Sequence, residues 1–111
     1  MSNLILAEQR DGTLRKGAFE LVSAARALGG SLTALVTGPG AENAATALSG
    51  LADTVLVAGD VPAGNRSATV TALETAAHQS GASRILLSAS RFGQAAAPQL
   101  AVRLGAAFLE E

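Results

Sequence analysis

The chain has 111 residues, of which 49% are hydrophobic, and carries a formal net charge of −1 with one histidine, three phenylalanines, no other aromatic and no cysteine. The length suits a single domain with a core of moderate size, while the near-neutral charge and the shortage of aromatic platforms argue against nucleic-acid binding. Without cysteine there are no disulfides, thiolate metal sites or thiol catalysis, and the opening MSNLILAEQRDG holds too short an apolar run for a signal peptide or a membrane span, so a soluble, cytoplasmic chain is expected.

Asn3 to Ala7 (NLILA) reads as a buried strand. Gln9 to Thr13 reads as a loop that turns at Asp11-Gly12. Leu14, Ala18, Leu21, Val22, Ala25 and Leu28 then recur at helical spacing, with Arg15, Lys16, Glu20 and Arg26 on the other face. Gly29-Gly30 closes that helix. Ser31 to Thr37 is a second strand, broken by Gly38-Pro39-Gly40, and Ala41 to Leu48 is a short helix that ends at Gly50. Asp53 to Ala58 is the third strand, and Gly59 to Asn65 is a loop. Ser67 is the expected cap of a third helix running to about Ser80, burying Val70, Leu73 and Ala77 and stopped by Gly81. Ser83 to Ser88 is the fourth strand. Phe92 to Leu104 is a fourth helical segment with Phe92, Ala96, Leu100 and Leu104 on one face. Pro98 falls inside it, so the regular helix either starts there or is kinked there.

Strands alternate with helices, and the strands are apolar almost throughout, as expected for strands buried on both faces. The predicted fold is a three-layer α/β domain over residues 1–111: an open parallel sheet of four strands, or five, with helices on both faces. The chain stops at Phe108-Leu109-Glu110-Glu111, just after the fourth helix. Sheets of this kind usually carry more strands, so the sheet is expected either to be finished by another chain or to belong to a longer protein. An open edge also invites self-association, which makes a homo-oligomer through that edge a further expectation.

Few residues offer chemistry. His78 stands near the end of the third helix, where it suits the helix dipole and faces solvent, and without a second histidine or a cysteine it makes no transition-metal site. Glu8 and Asp11 fall at the C-terminal edge of the first strand, the edge at which open α/β sheets bind ligands. Glu8 has Arg10, Arg15 or loop amides as candidate partners. Gly38-Pro39-Gly40 matches no nucleotide-loop motif and reads as a strand end and turn. The most suggestive stretch is SASRFGQAAAP, from Ser88 to Pro98. Ser88, Ser90, Arg91 and Gly93 combine hydroxyls, a positive charge and a small residue at a helix N-terminus, as a phosphate cradle requires. The same residues also make a plain strand-to-helix turn, with Ser90 as cap, Phe92 as the first core residue and Arg91 in water.

Several motifs occur in one order along the chain. They are Ala7-Glu8, Gly12-x-Leu14, Ala24-Ala25-Arg26-Ala27-Leu28-Gly29, the segment GLADTVLVAGD (Gly50 to Asp60), and SASRFGQAAAPQLAVRLGAAF. In these the chain resembles the N-terminal domain of the electron transfer flavoprotein alpha subunit over nearly its whole length. The resemblance implies an adenine nucleotide alpha hydrolase-like fold. It also implies an electron-carrier role without catalytic residues: a scaffold that pairs with a beta-type subunit and with an FAD domain. Acyl-CoA dehydrogenases or other flavin dehydrogenases would be the electron donors, and a membrane oxidoreductase the acceptor. In the family most FAD contacts lie in a second domain that this chain lacks, so no FAD is expected on this chain alone. Ser88, Ser90, Arg91 and Gly93 would then be flavin-proximal, and Phe92 and Gln94 would face a partner. The family commonly has a basic residue where Gln94 stands and an arginine where Gln99 stands, and both changes weaken the positive field at that helix. The alternative is a small domain of the universal-stress type holding the phosphate of AMP on Ser88, Ser90, Arg91 and Gly93.

Overall fold

The computed structural model describes residues 1–105. Its elements in chain order are β1 (Ser2–Leu6), β2 (Gln9–Arg10), β3 (Thr13–Leu14), α1 (Lys16–Leu28), β4 (Ser31–Thr37), α2 (Ala41–Leu48), β5 (Thr54–Ala58), α3 (Arg66–Ser80), β6 (Arg84–Leu86) and α4 (Arg91–Leu104). The sheet runs β5-β4-β1-β6 and every pairing in it is parallel. Ile5 is held between Ala34 of β4 and Leu86 of β6, so β1 is a central strand.

Side chains alternate across the sheet and feed two cores. Ile5, Ala7, Leu32, Ala34 and Val36 meet α1 and α2 on one face. Leu4, Leu6 and Leu35 meet α3 and α4 on the other. Small residues at the contacts (Ala18 and Ala25 on α1, Ala41 and Ala44 on α2, Ala76, Ala77 and Ala96 opposite) let the helices sit close to the sheet. The three-layer α/β fold with a four-stranded parallel sheet is therefore the observed one.

Several local expectations are corrected. The Gln9–Thr13 loop is a hairpin: Gln9 pairs with Leu14 and Arg10 with Thr13, around Asp11 at φ 52° and Gly12 at φ 93°. Two successive positive φ values are what a two-residue hairpin turn needs, and Asp-Gly supplies them. Leu14 thus belongs to β3 and not to the helix, although it is buried, and Leu28 at the far end of α1 is half exposed. Asn65, not Ser67, caps α3, because its Oδ1 accepts from the Ala68 N–H at 2.9 Å. The fourth strand is only Arg84–Leu86, and α4 begins at Arg91 and runs through Pro98. Phe108 to Glu111 lie outside the described residues.

Candidate functional site at the C-terminal edge of the sheet

From β1 the chain builds outward through β4 and β5, then crosses back to place β6 on the other side of β1. The strand order thus reverses between β1 and β6, and in open α/β sheets the ligand crevice lies outside the C-terminal ends of the strands at such a point. The residues that leave β1 there are Ala7 and Glu8; those that leave β6 are Leu87 to Ser90.

They meet at this point. The Ser90 hydroxyl donates to Glu8 Oε2 at 2.9 Å and accepts from the Gly93 N–H at 3.0 Å. Ser90, with extended backbone at φ −69° and ψ 163°, is therefore the N-cap of α4. Through it the Glu8 carboxylate lies at the positive end of that helix, where a negative charge is favourable. Neither Arg10 nor Arg15 takes the Glu8 side chain; the Arg15 N–H instead donates to the Glu8 backbone carbonyl at 2.9 Å.

Gly93 is fully buried in the first turn of α4, and a Cβ there would run into the Ser88 carbonyl oxygen. Glycine is required at this point by close backbone approach. The Ser88 hydroxyl is buried without a hydrogen-bond partner among the described residues. It sits 2.8 Å from where a Cβ on Gly17 would be, so the first turns of α1 and α4 both press on the end of β6. Ser88, Ser90 and Gly93 are thus brought together. Arg91 and Gln94 are exposed, and among the described residues neither makes a side-chain hydrogen bond or ion pair. Phe92 is half-buried against the core between the sheet and α3 and α4. His78 is exposed in the last turn of α3.

A neighbouring feature had no sequence expectation attached to it. Gln9 Nε2 donates to the carbonyls of Thr37 and Pro39 at 2.8 and 2.9 Å, and Gln9 Oε1 accepts from the Gly12 N–H at 2.8 Å. One amide side chain ties the β2–β3 hairpin to the Gly38-Pro39-Gly40 loop. A Cβ on Gly40 would strike the backbone N of Gly12, so the two loops lie in direct contact. Gly38 at φ 89° and Gly40 at φ 87° make the turn into α2, as a strand end and turn require. A glutamine beside a turn is an ordinary surface residue by composition, and only the register of the hairpin aims it.

The opposite edge of the sheet is held by polar ties. Arg26 donates to the Leu51 carbonyl at 2.9 Å and lies 3.4 Å from Asp53 Oδ2. Asp53 Oδ2 also accepts from the Leu32 N–H at 2.8 Å. That backbone hydrogen bond first, and the Arg26 guanidinium second, hold the Asp53 carboxyl below its ordinary value of 3.8. Buried Asn3 donates to the carbonyls of Gly29 and Ser31 and accepts from Arg84 Nε, while Arg84 also reaches the Gly29 carbonyl. Arg84 and Asn3 thereby satisfy the C-terminal end of α1. Arg26 belongs to the Ala-Ala-Arg-x-Leu-Gly stretch and Asp53 to the GLADTVLVAGD segment, so their contact joins two of the motifs singled out in the sequence.

Among the described residues no group of three or more His, Asp or Glu is placed to hold a metal ion, and no helix is long and apolar enough to cross a membrane. No curated protein matches the chain. Residues 3–111 match the family model of the electron transfer flavoprotein domain. With nearly every residue inside that match and the parallel three-layer fold in agreement, the chain belongs to the electron transfer flavoprotein domain family.

Proposed function

We propose that this chain is an alpha-type electron transfer flavoprotein domain, a cytoplasmic scaffold that pairs with a beta-type subunit and with a chain carrying an FAD domain. Its role is to support electron transfer from acyl-CoA or other flavin dehydrogenases, and it makes and breaks no bonds of its own. The observation that carries the reading is the family match over residues 3–111. Supporting it, the Arg26–Asp53 tie gives two of the alpha-type motifs a joint structural purpose, which is what a scaffold needs.

The α4 N-terminus fits a flavin pyrophosphate or the phosphate of AMP poorly. Glu8 already lies at that helix end through Ser90, and a second anion there would meet like charge. Arg91 is exposed and makes no bridge to Glu8, and Gln94 adds no charge. In this reading the flavin sits on a partner chain, with Phe92 and Gln94 near the contact.

The test is co-expression with a beta-type subunit and an FAD-domain chain, followed by affinity purification on this chain. Co-purification of both, with flavin absorbance in the complex and none on the isolated chain, is expected. Absence of any complex overturns the reading. Titration calorimetry with AMP separates the universal-stress alternative: heat that disappears in Arg91→Ala would favour that alternative.

A further inference from the structure

β5 is an edge strand, and among the described residues nothing pairs with its outer side. Edge strands of stable monomers are usually defended by a lysine, a proline, a bulge or a covering loop. The sequence of β5, Thr54-Val55-Leu56-Val57-Ala58, has no charge and no proline, and it pairs with β4 without a bulge from Thr33↔Thr54 to Thr37↔Ala58. Val57 is 44% exposed and Leu51 38%, so apolar surface continues beside the open edge.

The ladder also shows which backbone groups are free. The Gly38 N–H at the end of β4 donates to the Ala58 carbonyl, and the Leu35 carbonyl of β4 is taken on the other side by the Ala7 N–H that follows β1. In a parallel pair successive residues bond to alternate sides. Thr54, Leu56 and Ala58 therefore bond inward to β4, while Val55 and Val57 aim their N–H and C=O groups outward.

We infer that β5 is a self-association edge, and that its occupant is β5 of a second copy of this chain, antiparallel about a two-fold axis at Leu56. The argument for a second copy is self-complementarity, which a two-fold contact demands. Val-Leu-Val reads the same in both directions, and the residues beyond it, Thr54 and Ala58, are both small. With Leu56 opposite Leu56 of the second copy, Thr54 falls opposite Ala58 and Val55 opposite Val57. All the outward backbone groups then find partners, and two β-branched cross-strand pairs form. The charges agree with this register. Asp53 falls opposite Gly59, and Asp60 falls opposite Ala52, so the flanking acids never face each other. Asp60 of the second copy instead comes to the Leu51–Asp53 segment, which the Arg26 guanidinium grips. The two sheets become one of eight strands. This surface is independent of the subunit pairing proposed above and stands or falls without it.

Light scattering on a gel-filtration column over a dilution series tests the inference. The unaltered chain is expected to run as a dimer that dissociates on dilution. Val57→Lys, which puts a charge on an already exposed position of the edge, is expected to run as a monomer with an unchanged far-UV circular dichroism spectrum. Amide hydrogen exchange gives the second readout: the Val55 N–H is slow in the dimer and fast in Val57→Lys. A chain that is monomeric at every concentration overturns the inference. So does a Val57→Lys variant that stays dimeric, or a dimer in which Val55 exchanges freely, since the contact then lies elsewhere.

Discussion

At the scale of single residues, one oxygen organises the crevice. The Ser90 hydroxyl caps α4 and holds Glu8 at its positive end. Ser90→Ala removes both contacts and is expected to cost about 1 kcal/mol, read as a lowered urea midpoint. Gly93→Ala is the sharper test. In a helix interior alanine is favoured over glycine by about 1 kcal/mol. Here its Cβ would meet the Ser88 carbonyl, so the variant should be less stable than the unaltered chain and less stable than Ser90→Ala. A more stable Gly93→Ala would show that the turn does not press on β6. Asp53 carries the pH dependence. Its carboxyl is held below its ordinary value by the Leu32 N–H and by Arg26. A lowered folded value means that Asp53 contributes stability above its unfolded value, and that this contribution fades as the pH falls through the folded one. Asp53→Asn should therefore weaken the fold at neutral pH and flatten the acid limb of the stability curve, with the two proteins converging at low pH. Equal acid limbs would remove Asp53 from the account. Of this crevice, the residue types between Ser88 and Gly93 were legible, because a hydroxyl, a glycine and the start of a helical pattern follow an apolar run. Glu8 was legible only as a residue at the right edge. Its bond to Ser90 spans 82 positions, and periodicity reports only local order.

At the scale of elements, α4 carries a visible compromise. It is helical from Arg91 to Leu104 although Pro98 has no N–H to give the Gln94 carbonyl. Burial of Ala96 and Leu100 against the α3 side of the sheet holds it there. Pro98 is exposed, so Pro98→Ala restores a hydrogen bond without disturbing the core. A gain is expected, bounded by the roughly 3 kcal/mol that proline costs in a helix interior, less what the ring removes from the unfolded chain's entropy. A thermal midpoint that falls would mean that the ring packs against something it is worth keeping. Apart from the β2–β3 hairpin, element existence and order were readable, because apolar strands and helical spacing alternate strongly. The errors fell at the ends. Leu14 fits the periodicity of α1 and still belongs to β3, since burial against the same core makes a strand residue look helical. Asp11-Gly12 was legible as a turn, but the strands beside it are two residues each, too short for alternation to show. Asn65 and Ser67 are both good caps, and the choice rests on where the chain leaves the Pro62–Asn65 turn, which bonds the Asn65 N–H to the Pro62 carbonyl. β6 is shorter than its apolar run because its ladder with β1 ends at Leu86 and the chain bends at Ala89 and Ser90 into the cap of α4.

At the scale of the whole molecule, two cores share the same central strands. Leu4 and Ile5 are neighbours in β1, both fully buried, yet Leu4 serves the α3 and α4 side while Ile5 serves the α1 and α2 side. With few aromatics, neither layer holds a large side chain that could stabilise it alone. Each layer also rests on a sheet whose β1 and β4 need burial on both faces. The two layers should therefore melt together. A domain of this size has on the order of 5–15 kcal/mol of stability in all, and truncating a buried leucine or isoleucine costs about 2–5 kcal/mol. Leu4→Ala and Ile5→Ala should each remove much of that, in a single transition followed equally by circular dichroism and by amide exchange. Exchange protection should drop in parallel in all four helices for either variant, because losing one face of β1 releases the strand that the other face is built on. If Leu4→Ala strips protection from α3 and α4 while α1 and α2 keep theirs, the layers are separate cooperative units.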